Sequence, residues 1–253
     1  MKKIQELIGM AMLGFSPWLL AASPYQHSEG WHGIIGVGIL LETMPYKEMD
    51  QRILPLPYLI MRRGNFFIEG LELGYRAIEG ANGHFDLIIT PRLDGFEADE
   101  SHWFDGMEDR EFSIDGGVVT KWRQGTVEFN LTALTDILDK NGGQELSVSV
   151  GNTYLAGKMA TLTPSLGLKW QSDDLVDYYY GVTTYEARPD RPAYMGEATL
   201  NYTAALNGTY SLGKRSTLFG GIEYERLGQD ISDSPLLETE QIISIFMGYG
   251  WQF

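Results

Sequence analysis

The sequence predicts an all-β fold: a transmembrane, antiparallel up-and-down β-barrel of about twelve strands, within a range of ten to twelve, behind an N-terminal signal peptide. Three observations predict it. Apolar and polar residues alternate with a period of two through most of the chain. Glycine is abundant at 30 residues and aromatics make up 12%, while cysteine is absent. The chain also begins like an exported protein.

That beginning reads MKKIQELIGMAMLGFSPWLLAAS. Lys2 and Lys3 form a charged start, Leu7 to Leu20 an apolar run, and Ala21-Ala22-Ser23 a small-residue cleavage site. Residues 1–23 are expected to be removed and 24–253 to form the barrel. Export without cysteine excludes disulfide stapling. The net charge is −15, and loss of Lys2, Lys3 and Glu6 leaves −16. Such a surface excludes nucleic acid, which requires basic contacts to phosphate. After the leader no apolar run approaches the roughly 20 residues a spanning helix needs.

Eleven segments alternate: Ile34–Leu41, Ile53–Arg62, Phe66–Arg76, Phe85–Leu93, Phe112–Trp122, Thr126–Ala133, Leu146–Tyr154, Ala160–Trp170, Ala198–Leu212, Thr217–Leu227 and Gln241–Phe253. Most have the length of a tilted strand crossing a bilayer. In Ala160–Trp170 one wall carries Leu162, Leu166, Leu168 and Trp170, and the other Thr161, Thr163, Ser165 and Lys169. Successive strand side chains point to opposite faces, so each segment has one greasy and one wet wall. Ile53–Arg62 is apolar on both faces and holds Pro55 and Pro57. Proline removes ladder donors, so this strand is expected to be bulged or locally unpaired.

The wet walls are rich in Thr, Ser, Asn and Gly, which suits a narrow hydrated lumen. Trp and Tyr sit near segment ends, where amphipathic rings favour the bilayer interface. Hydrocarbon cannot satisfy backbone amides, so the sheet must close on itself. A barrel with both termini in the periplasm needs an even strand number. The twelfth strand is sought in Leu175–Val182, or in a different division of residues 51–93.

Candidate functional residues follow from the same alternation. Tyr249, Trp251 and Phe253 share the apolar face of the last strand and end the chain. They resemble the signal read by the outer-membrane assembly machinery. Glu128, Glu145, Lys169, Glu223 and Glu225 fall on the lumen wall. Four acids to one base would favour cations if a pore exists. The acidic stretch Asp94–Glu111 offers weak metal ligands in Asp94, Glu97, Asp99 and Glu100, but lacks EF-hand spacing. No cofactor is expected. His84 shares a lumen wall with Asp86, and Ser165 lies on another lumen wall. No motif joins them into a hydrolase, so no catalytic residues are assigned. The segment Gln171–Glu197 carries Tyr178, Tyr179, Tyr180, Tyr185 and Tyr194, a possible contact surface for an adhesin.

Five stretches resemble the MltA-interacting protein / outer-membrane protein V (MipA/OmpV) family. They are RILPLPY at 52–58, FFIEGLELGY at 66–75, YYGVT at 179–183, YERLGQDISDSPL at 224–236, and the terminal GYGWQF. They span most of the mature chain in the family's order. One departure is the turn before LPLPY: MPYKEMDQR, Met44 to Arg52, lacks the family's Gly/Ser-rich acidic composition. The resemblance implies an outer-membrane barrel that lies among lipid and lipopolysaccharide. It also implies a scaffold bringing together a murein transglycosylase and a penicillin-binding synthase. A scaffold needs periplasmic surface, and the short turns give little, so Pro24–Gly30 is a further candidate. A small-solute or cation-preferring channel and a surface adhesin are the alternatives.

Overall fold

In the computed structural model, residues 30–49 and 51–253 are described, so the signal peptide expected over residues 1–23 lies outside them. The chain forms one closed antiparallel barrel of twelve strands. They are β1 (His32–Thr43), β2 (Gln51–Arg63), β3 (Phe66–Glu69), β4 (Glu72–Glu79), β5 (Gly83–Arg92), β6 (Ser113–Gln124) and β7 (Val127–Asp136). Then come β8 (Gln144–Asn152, continued by Tyr154–Ala156), β9 (Ala160–Gln171), β10 (Thr199–Ser211), β11 (Ser216–Arg226) and β12 (Gln241–Gln252). Each strand pairs with its sequence neighbours, and β1 pairs with β12 from Ile34↔Gln252 to Glu42↔Ser244 to close the ring.

The expected alternation holds in space. Val37, Leu166 and Met247 stand exposed on the outer wall, whereas Leu40, Asn201 and Phe246 are buried inside. Tyr249, Trp251 and Phe253 are all on the outer wall. With the termini at the periplasmic end, the turns at Gly64, Gly125 and Gly157, all in the left-handed region, lie at that end. The long connections lie at the other.

The twelfth strand comes from Phe66–Arg76 and not from Leu175–Val182. The first segment folds back at Gly70-Leu71, with Gly70 at φ 63°, so four-residue β3 climbs only part of the wall before β4 descends. Outward residues switch from even (Phe66) to odd (Leu73, Tyr75) across that turn. The second segment lies in a helix, α1 (Asp173–Tyr180). Ser172 caps it by accepting from the Leu175 N–H, and Asp173 and Asp174 occupy its positive first turn. Leu175, Val176, Tyr179 and Tyr180 form its buried face. A one-turn helix, α2 (Gln229–Ser232), lies in the last loop.

The short β3 leaves β2 without a neighbour on one side above Leu59, while β1 stays paired on the other. The Leu59 carbonyl accepts from the Gly70 N–H at 2.7 Å, and the β2–β3 ladder runs only below it, from Ile60↔Glu69 to Arg63↔Phe66. Backbone groups of alternate residues face the same side, so those of Ile53, Pro55 and Pro57 also face this gap. Two of the three have no N–H to leave unmet, which is where proline is tolerated in a sheet. The expected local unpairing is therefore real and one-sided.

Inside, aromatics fill the lower lumen. Tyr58 stacks on Phe219 with ring centroids 3.5 Å apart, and Phe219 on Phe246 at 5.4 Å. Inward glycines make the room: a Cβ at Gly248 would lie 2.5 Å from the Phe219 ring, and one at Gly74 would lie 2.0 Å from the Phe67 ring. The small residues of the terminal strand's wet wall thus serve packing. Gly248→Val should destabilise the reconstituted barrel by about 1–3 kcal/mol through overpacking, read as a lower urea midpoint at unchanged slope.

Candidate functional site

The site comprises a cap, a charged layer beneath it, and a cavity below that. The cap is built from four extracellular connections whose apolar residues form their own core. Met44 and Tyr46 follow β1; Phe96, Phe104 and Met107 follow β5; Leu175, Val176, Tyr179 and Tyr180 belong to α1; Leu227, Ile231 and Leu236 follow β11. Phe96 and Phe104 stack at 3.9 Å, and Tyr46 meets both edge-on. Tyr46 donates to the Tyr179 carbonyl at 3.3 Å. Burial away from water pushes the Tyr46 and Tyr180 hydroxyls above their ordinary value.

Buried arginines stitch these loops together. Arg110 donates to both carboxylate oxygens of Glu186 at 3.0 and 2.9 Å. Arg191 is 1% exposed and donates to the carbonyls of Trp103, Asp105 and Glu186. Burial alone would raise the Glu186 carboxyl, but the Arg110 guanidinium and the N–H groups of Glu108 and Thr183 outweigh it and bring it down to about 2. Among the tyrosines expected to offer a contact surface, Tyr179 and Tyr180 are buried, Tyr178 and Tyr194 are half-buried, and only Tyr185 stands out at 98% exposure. The loop spends its tyrosines on the cap, which corrects the reading of them as an adhesive surface.

Below the cap lies a layer of paired charges. Arg92 is its hub, reaching Asp115 at 2.6 Å, Asp94 at 3.0 Å and Glu145 at 3.1 Å. Lys169 donates to Glu225 at 2.7 Å, and Asn201 donates to the other Glu225 oxygen at 2.7 Å. Near the periplasmic rim Glu128 pairs with Arg123 at 2.5 Å. All five expected lumen charges thus face inward. Their expected excess of acid persists, because Arg92 and Arg123 add two cations while Asp94 and Asp115 add two more acids, but most of these acids are paired. Arg92 shares the parity of His84 and Asp86, which was the available signal. His84 meets Asp86 at 2.9 Å, and Asp86 is also held by Arg76. Among the described residues, Glu223 has no ion pair within 4 Å.

The acidic loop does not converge on a cation. Asp94 turns to Arg92, Glu100 accepts from the Glu97 N–H at 3.0 Å, and Glu100 also reaches Arg52 at 3.9 Å. Asp99 is exposed. Among the described residues no group of three or more His, Asp or Glu is placed to hold a metal.

The lumen cavity has a volume of about 290 Å³. Its walls mix Leu56, Val119, Leu134 and Phe246 with Glu72, Lys121, Ser149, Ser165 and Glu223. A second cavity of about 60 Å³ lies in the charged layer and touches Tyr180 of the cap.

A family model described as MltA-interacting protein MipA matches residues 35–253. The chain belongs to this family. The MltA-interacting protein of Escherichia coli (strain K12) is 24% identical over 247 residues, covering 96% of this chain and 99% of the relative. Outer membrane protein OmpV of Vibrio cholerae is 28% identical over 246 residues, covering 94% and 95%. Among solved structures, the NanC porin superposes with a TM-score of 0.48 at 9% identity, covering 87% of this chain and 100% of that one. Family membership and a closed barrel with an apolar outer wall place the chain in the bacterial outer membrane.

The Arg110–Glu186 clamp sets a pH dependence. A carboxyl held low stabilises the fold above its ordinary value of 4.5, and this contribution fades as pH falls toward 2. Hydrogen exchange of residues 172–198 should therefore quicken between pH 4.5 and 2. Glu186→Gln should already be quick at pH 7 and show a flatter profile across that window.

Proposed function

We propose that this MipA/OmpV-family barrel is an interaction scaffold for peptidoglycan-remodelling enzymes, a murein transglycosylase and a penicillin-binding synthase, and that it catalyses no reaction itself. The observation that carries the reading is the filled interior: a cap with its own apolar core lies over one end, and the Tyr58–Phe219–Phe246 stack occupies the lumen below. A barrel so filled is suited to present surfaces. The name of the E. coli relative, MltA-interacting protein, supports the same choice.

The surface facing the periplasm is small and mainly basic, with Glu79 as an exposed acid on the β4–β5 turn. Arg63, Lys158, Lys214 and Arg215 are exposed on three of its turns. A basic rim beneath an acidic exterior suits an acidic enzyme surface or the carboxylates of peptidoglycan stems, and charge complementarity steers such encounters. Stable complexes usually bury about 800 Å² per partner, so we assign additional contact to the expected mature N-terminus around Pro24–Gly30. The terminal aromatics Tyr249, Trp251 and Phe253 serve as the signal by which the assembly machinery takes up the chain.

Two experiments test these assignments. The purified barrel should capture a lytic transglycosylase on crosslinking, and reversing Arg63, Lys158, Lys214 and Arg215 to Glu should weaken capture by about tenfold or more. Capture that is unchanged, or absent in the native protein, would remove the scaffold reading, as would steady conductance in a planar bilayer. Deleting Phe253 should lower the membrane-inserted fraction while leaving synthesis unchanged.

A further inference from the structure

The gap beside β2 is more than a packing irregularity. Its sill is the Gly70-Leu71 turn, its sides are β2 above Leu59 and β5 above Ile89, and the Arg52–Glu100 contact at 3.9 Å crosses its outer end. No ladder joins β2 to β5 here. Pro57 and Pro91, one from each side, both line the lumen cavity, as do Gly70, Leu71 and Glu72 of the sill. The cavity therefore reaches the wall at the height where the wall is incomplete, in its outer-leaflet half.

The chemistry of the opening is one-sided. The carbonyls of Ile53, Pro55 and Pro57 face it with no strand opposite, while the two prolines present no donor. An edge on which only Ile53 keeps a donor is a poor template for an added strand, which must be met by N–H and C=O alternately. Its carbonyl dipoles can instead receive a cationic group. Glu72, at the sill, points inward and has no ion pair within 4 Å among the described residues. Beyond it the cavity offers Leu56, Val119, Leu134 and Phe246. Lys121 on the same mixed wall is turned to Glu69 at 3.7 Å. Acceptors and a carboxylate at the mouth, followed by the apolar patch of Leu56, Val119, Leu134 and Phe246, match a molecule with a cationic head and a hydrocarbon body.

We propose that this gap is a lateral portal through which a single-chain cationic amphiphile enters the lumen cavity directly from the outer leaflet. Its chain lies in the cavity and its head is received by Glu72 and the β2 carbonyls. The inference is independent of the scaffold reading, because it concerns the wall and lumen and not the periplasmic rim.

The absence of native cysteine makes the test clean. Ser165 lines the cavity, so Ser165→Cys is a single reporter. In liposomes, a dodecyl-chain maleimide confined to the bilayer should alkylate it. Pro57→Trp and Pro91→Trp, each confirmed as folded by heat-modifiable gel mobility, should slow that alkylation by about tenfold, an added barrier of about 1.4 kcal/mol. Dodecyltrimethylammonium should protect the cysteine and dodecyl sulfate should not, and Glu72→Gln should abolish the protection. A cysteine that reacts only after unfolding, or at the same rate in both tryptophan variants, would overturn the portal. Equal protection by both head groups would overturn the cationic ligand class. Equal protection by tetramethylammonium, which has no chain to hold it in the bilayer, would move entry to the aqueous mouth and overturn the lateral route.

Discussion

The structure depends on one constraint: in hydrocarbon no backbone N–H or C=O can be left to solvent, so every strand must find two neighbours. The β1–β12 seam satisfies this for the chain ends, with nine register pairs from Ile34↔Gln252 to Glu42↔Ser244 and no break. It also explains why the exception at β2 carries prolines. Where a neighbour is missing, the least costly residue is one with no donor, and Pro55 and Pro57 stand at alternate positions on that side. The sequence RILPLPY is thus a record of where the cylinder is incomplete.

Within the closed wall, two different solutions fill the interior. In the lower lumen an aromatic stack depends on inward glycines that let rings approach the neighbouring backbone, with the Arg123–Glu128 and Arg76–Asp86 pairs nearer the rim. Toward the outside it is ionic, with Arg92 shared among Asp115, Asp94 and Glu145. A buried charge is tolerable only when paired and hydrogen-bonded, and here Gln171 and Asn201 supply the remaining contacts. The cavity lies between these two regimes, which is why its lining is mixed.

Much of the fold was legible because a period of two leaves a visible trace in composition. The alternation alone assigns Glu145 and Lys169 to the lumen face and Trp251 to the lipid face. Two elements were misread for physical reasons. The turn inside Phe66–Arg76 is hidden because apolar residues continue through it, and only the change of parity from Phe66 to Leu73 and Tyr75 betrays it. Leu175–Val182 looked extended because tyrosines favour strands, whereas its capping serine and two acidic residues are helix signals that outrank local β preference. The cap was not legible. Its core joins residues from Met44 to Leu237, and nothing in a one-dimensional pattern announces contacts between loops so far apart.

The cap has a consequence for how the protein meets the world outside the cell. Surface loops ordinarily drift freely under immune or phage pressure, because little inside them is constrained. Here Phe104, Leu175 and Ile231 are each wedged against neighbours from other connections, and Arg191 is pinned by three carbonyls. Antigenic variation is therefore directed to the exposed positions, such as Tyr185, His102 and Asp109, and changes at the wedged ones require compensation from another loop.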